Sequence, residues 1–114
     1  MDLSEKLPIY RQIIETVLAP YVSIRYADGE IQNEALFDRE RDHYAVVSVG
    51  WQDGRRVYHS LIHLDLINGK VYIQRDGTED GIGYELEAAG IPKSDIVPAF
   101  HPVTVRPYTG YAVA

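Results

Sequence analysis

QDGRRVYHSLIHLDLINGKVYIQ, residues 52–74, carries two hairpin signals one strand apart. Asp53-Gly54 and Asn68-Gly69 both accept the positive φ angles of a type I′ turn, whose twist matches the strands it joins. Between them runs a long strand, from about Arg55 to Leu66, and "KVYIQ" after the second turn gives the next. Upstream, the Val-rich run Tyr44 to Trp51 reads as the strand leading into Asp53-Gly54. A first strand starts at about Glu30 and carries Ile31, Ala35, Leu36 and Phe37. Tight hairpins in series make an antiparallel meander.

On either side of this meander the apolar period changes from 2 to 3.6. Leu7, Tyr10, Ile13, Ile14, Val17 and Leu18 recur at helical spacing, which predicts a helix over 5–18. Ser4 or Asp2 is its expected cap, Pro8 is expected near its start, and Pro20 is expected to stop it. Asp28-Gly29 signals a turn. Beyond "RDGTED", Ile82, Leu86 and Ala89 predict a second helix, with Gly90 at C′ and Pro92 just past it. "PKSDIV" suits another short helical turn. The tail's two prolines exclude a central strand, whereas 111-YAVA-114 suits an edge strand tucked against the body. The expected architecture is a single α+β domain over 1–114: an N-terminal helix, a four- to five-stranded antiparallel meander sheet, one or two C-terminal helices and a short tail strand.

The bulk numbers bound the function. The 114 residues suit one domain, and 46% hydrophobic and 25% charged content is ordinary for a globular core. Cysteine is absent, which excludes disulfides, thiolate metal sites and a cysteine nucleophile. No apolar run approaches the ~20 residues of a membrane span, and "MDLSEKLPIY" does not resemble a signal peptide. A soluble, cytoplasmic protein is expected. The net charge of −6 disfavours DNA binding by the chain alone, because phosphate affinity needs a basic footprint.

The polar motifs are sparse. Strict alternation along the third strand puts Val57, His59, Leu61, His63 and Asp65 on one face, opposite Tyr58, Ser60, Ile62, Leu64 and Leu66. His59 and His63 would then lie roughly 13 Å apart, too far to share an ion. His63 and Asp65 make a neighbouring pair, structural or dyad-like, with no nucleophile set beside them by sequence. Gly81-Ile82-Gly83 lacks the third glycine and the βαβ context of a dinucleotide fingerprint. No P-loop, HExxH, GxSxG or EF-hand pattern occurs. The burst 38-DRERDH-43 reads as a solvated turn or a partner-facing loop. Trp51 reads as a core filler first and an exposed anchor second, and His101 as a turn histidine. The residues alone assign no catalytic, cofactor-binding or metal-binding role.

Several blocks recur in a known order: "YRQII", "LFDRERDHYAVVSVGW", "RRVYHSLIHLDLINGKVYIQRDGTED", "GIPKSDIVPAFHP" and the terminal "TGYAVA". Together they resemble the XisI family, cyanobacterial controlling factors for excision of the fdxN element. Departures are Pro98-Ala99, where Leu-Gly is expected, and the segment after His101-Pro102, where a second proline is more usual. The resemblance implies a non-catalytic accessory factor with a XisH-like partner protein, acting alongside an excision recombinase complex. A homo-oligomer is also compatible with exposed sheet edges. The partner-contact residues expected on this basis are Arg41, Asp42, His43 and Trp51, with His101 and Arg106 in the tail. Two other readings stand beside it. One is a DNA-binding directionality factor using Arg39, Arg41, Arg55, Arg56 and Arg75. The other is a small metal-dependent hydrolase using His63 and Asp65, with a cation near 76-DGTED-80.

Overall fold

The computed structural model describes residues 1–27 and 29–114, so Asp28 of the expected Asp28-Gly29 turn lies outside the described residues. The chain runs α1 (Leu3–Val22), β1 (Ile31–Asp38), β2 (His43–Gln52), β3 (Arg55–Ile67), β4 (Lys70–Asp76), α2 (Ile82–Ala88) and β5 (Ile96–Val97). The five strands form one sheet in sequence order. Pairing is antiparallel from β1 to β4, and β5 joins β4 in parallel. The class is the expected α+β. Both hairpin turns have the anticipated backbone, with φ of 50° and 75° at Asp53 and Gly54 and of 50° and 77° at Asn68 and Gly69.

The first helix is longer than its periodicity suggests. Asp2 caps it by accepting a hydrogen bond from the Glu5 amide at 3.1 Å. Pro8 and Pro20 both lie inside it. Pro20 does not end the helix, because contacts beyond it hold the last turn. Ser23 donates to the Ala19 carbonyl at 3.3 Å, Asn33 donates to the Tyr21 carbonyl at 2.8 Å, and the Tyr21 hydroxyl donates to Glu85. Downstream, Lys93–Asp95 forms the expected helical turn, of 3₁₀ type. The fifth strand is Ile96–Val97, and 111–114 forms none. The tail is tucked in all the same: Ala112 donates to the Ile96 carbonyl at 2.8 Å, and Lys70 reaches the Ala114 carbonyl.

The core sits between the helices and one face of the sheet. Tyr10, Ile14, Val17 and Leu18 of α1 and Ile82 and Leu86 of α2 pack with Tyr44, Val46, Ile62, Leu64, Leu66, Val71 and Ile73. The register steps from Val46↔Ile62 to Val47↔Ser60, which leaves Leu61 unpaired as a β-bulge. A second shift, between His63↔Arg75 and Leu64↔Ile73, leaves Gln74 unpaired. The first bulge overturns the strict alternation expected for β3. Ile62, Leu64 and Leu66 face the core as anticipated, but N-terminal to Leu61 the faces are exchanged. His59 pairs with Ser48 on the helix-covered face, and Tyr58 pairs with Val49 on the outer one. Trp51 is likewise outward, in register with Arg56, and is 51% exposed rather than part of the core. Among the described residues no helix is long and apolar enough to cross a membrane.

At Gly50 the backbone of the β1 entry lies directly over the strand. A Cβ there would stand 1.9 Å from the Glu30 carbonyl oxygen and 2.8 Å from the Ile31 Cα. Backbone cannot swing aside as a side chain can, so Gly50→Ala is expected to cost about 2–3 kcal/mol. Urea unfolding measures it, and an unchanged midpoint would show that the entry to β1 is loosely held.

Candidate functional site

The charged burst between β1 and β2 is largely spent inside the molecule. Asp38 accepts the amides of Glu40 and Arg41, both at 3.0 Å, and also the Arg41 guanidinium at 3.3 Å. Arg39 pairs with Glu15 on α1. Asp42 takes a left-handed backbone, with φ of 58°, and its carboxylate receives Arg11 of α1 in a two-pronged pair at 2.8 and 3.0 Å. The Tyr44 hydroxyl donates to the same carboxylate at 2.9 Å. The Arg11 hydrogen bonds outweigh partial burial and hold the Asp42 carboxyl below its usual range. Burial, joined by the Asp42 bond, pushes the Tyr44 phenol up.

His43, the last residue of the burst, turns across the outer face of the sheet. Its register partner is Asp65, and His63 sits two residues along the same strand. His43 Nδ1 lies 2.6 Å and His63 Nε2 2.8 Å from one oxygen, Asp65 Oδ1. The other carboxylate oxygen accepts from the Gln74 side chain at 3.1 Å. Asp65 is buried although it points away from the core. That burial raises its pKa, but the bonds from His43 and His63 prevail and the net shift is downward. The same hydrogen bond raises the His43 pKa. The two rings meet edge to face with centroids 6.2 Å apart.

The other anticipated residues fall elsewhere. The Arg41 side chain is 73% exposed beside Asp38. Trp51 stands at the far end of β2, its ring 5.5 Å from the Arg56 guanidinium. Arg106 donates to the carbonyls of His101 at 3.0 Å, Val113 at 3.0 Å and Ala99 at 3.4 Å, so it clamps the tail to itself. The His101 ring lies against Phe100. The hairpin end and the tail sit towards opposite edges of the sheet, with β3 and β4 between them.

The structure does not gather the acidic turn 76–80 onto His63 and Asp65. Asp76 pairs with Ile62 on the helix-covered face, and its oxygens accept the Thr78 amide at 3.0 Å, the Thr78 hydroxyl at 2.5 Å and the Ile82 amide at 2.9 Å. The basic residues are also divided. Arg39 and Arg41 precede β2 and Arg55 and Arg56 follow it, about 30 Å apart along a strand of 10 residues. Sequence reasoning paired His63 with Asp65 but missed His43 as the third member, since only the β2–β3 register joins them.

The XisI protein family model matches residues 3–113. Among solved structures, a XisI-like protein from Anabaena variabilis ATCC 29413 superposes with a TM-score of 0.88 at 34% identity, over 95% of this chain and 99% of that one. The fdxN element excision controlling factor XisI from the same organism gives a TM-score of 0.82 at 34% identity, over 96% and 99%. No curated protein matches.

The tie between Arg11 and Asp42 generates a pH signature. A carboxylate with a lowered folded pKa adds stability that is complete above its unfolded value, about 4. That contribution is lost as pH falls through the lower folded value. Arg11→Met is expected to cost about 1 kcal/mol at neutral pH and to flatten the acid limb of the stability profile below about pH 4. Urea unfolding across pH measures both, and a mutant profile parallel to the wild type would contradict the assignment.

Proposed function

The chain belongs to the XisI family, and on that premise we propose that it is a non-catalytic controlling factor for excision of a DNA element, acting through a XisH-like companion protein. The observation that carries this reading is the uncovered outer face of β1–β3. Leu36, Trp51 and Tyr58 stand there 52%, 51% and 67% exposed, while the helices pack on the other side. Large aromatic residues with an adjacent arginine are the usual anchors of protein contacts, because they bury much apolar area for few frozen torsions. Val47 and Val49 lie in the rows between them on the same face. The charged hairpin end borders this face, and Arg39, Glu40, Arg41 and His43 are its exposed members.

Charge favours a protein over DNA as the direct contact. The chain carries −6, Arg39 and Arg41 are already paired with carboxylates, and the remaining arginines do not join them in one stripe. A basic DNA-handling partner is the complement of the chain's net charge. Control of excision then works by holding or releasing that partner.

Tagged co-purification and sizing after co-expression with a XisH-like protein measures the contact. A stoichiometric complex is expected, weakened about tenfold or more by Trp51→Ser with Tyr58→Ser and less strongly by changing Arg41 and His43. Clean separation of the two proteins, together with a salt-dependent DNA mobility shift by this chain alone, would favour the DNA-binding reading instead.

A further inference from the structure

We propose that His43, His63 and Asp65 form a binding site for one divalent transition-metal cation of the zinc class. The site lies on the outer face of the sheet and goes beyond the controlling-factor reading without depending on it. One ligand atom from each of the three residues lies within 4.8 Å of the other two. A cation bonded at ~2.0–2.2 Å to such donors needs them about 3–3.5 Å apart. The two nitrogens lie 2.6 and 2.8 Å from the oxygen, so a few tenths of an ångström of opening makes room.

The donor set selects the metal. Two imidazoles and one carboxylate suit zinc, cobalt, nickel, manganese or ferrous ions, whereas calcium and magnesium prefer all-oxygen shells. The support is already built. Asp65 is 8% exposed, and Gln74 holds the oxygen that faces away from the nitrogens. Gln74 occupies the β4 bulge, where it has no partner across β3. Outer partners of this kind orient a ligating carboxylate and raise affinity. Three protein donors leave a coordination position open. The two histidines also line a shallow hollow of about 510 Å³, together with Leu36, Phe37, Asp38 and Ala45. A cation here would also join β2 to β3 by a bond other than the ladder.

The test uses the full chain, stripped with chelator and titrated with zinc by calorimetry and with cobalt by visible absorption. One cation per chain is expected, with tetrahedral or five-coordinate cobalt bands and a rise in unfolding temperature that grows with metal concentration. His43→Gln and His63→Gln are each expected to weaken binding at least a hundredfold. Gln74→Ala is expected to weaken it about tenfold, as for other outer-shell supports. His59→Gln and His101→Gln are expected to bind as the wild type does. The His43 side chain is 56% exposed, so its variant folds even if the others do not, and it decides the question alone. Absence of saturable binding by the wild type would overturn the proposal, and so would undiminished binding by His43→Gln.

Discussion

Leu61 faces no residue of β2, and the identity of both sheet faces depends on that one unpaired position. A bulge sets two residues against one, so a strand that alternates regularly on either side of it exchanges faces as it passes through. In β3 the exchange falls between Ser60 and Ile62. C-terminal to it, Ile62, Leu64 and Leu66 meet α1 and α2, which leaves His63 and Asp65 to face outward. N-terminal to it, Tyr58 is sent outward and His59 is brought beside Ser48. The carbonyl of Leu61 is not orphaned by the irregularity, because Gly77 just beyond β4 donates to it at 2.7 Å. Closing the bulge would push a histidine or a carboxylate into the apolar core, or withdraw the leucines that fill it, so the register has no cheap alternative.

The helices are fastened over this sheet by apolar area and by a repeated polar device. Four tyrosines, Tyr10 and Tyr44 buried and Tyr21 and Tyr111 partly so, end on carboxylates: Tyr10 on Asp95, Tyr21 on Glu85, Tyr44 on Asp42 and Tyr111 on Glu87. Each ring contributes area to the core or its margin, and each hydroxyl escapes the cost of an unmade hydrogen bond at the rim. Burial followed by the neighbouring carboxylate raises the phenol pKa in all four, so the hydroxyls stay neutral donors. Asp42 and Asp95 are each also met by a cation from α1, Arg11 and Lys6. The helix is thereby tied to the β1–β2 turn and to the loop before β5, which sets its place along the sheet.

What could be read from the chain and what could not divide on physical lines. The Asp53-Gly54 and Asn68-Gly69 turns were legible because two positive φ angles in succession demand those residues. Strand limits followed within a residue or two. Pro20 misled because its cost is local, whereas the contacts of Tyr21, Ser23 and Asn33 that carry the helix past it are tertiary. The bulge left no mark, since Ser60-Leu61-Ile62 contains neither glycine nor proline. With it went the faces of His59 and Tyr58 and the meeting of His43 with His63. The fifth strand escaped for a similar reason. Ile96–Val97 is too short to show a period, and its parallel pairing with Val71 and Tyr72 is decided by the connection through α2.

The charged turn 38–42 then has a different meaning from the one its composition suggests. Asp38 closes the turn on its own backbone, Arg39 and Asp42 reach back to α1, and Arg41 returns to Asp38. These charges are used in pairs, so they add little field of their own at a distance. Their effect is positional: with Arg11 holding Asp42, and the Asp42 carbonyl accepting the Leu66 amide at 3.0 Å, the first residue of β2 is set directly across from Asp65. His43 therefore arrives at the outer face with its ring already directed. A stretch that looks like a solvated loop is a device for aiming one imidazole, at the polar border of a face whose other end is apolar and open.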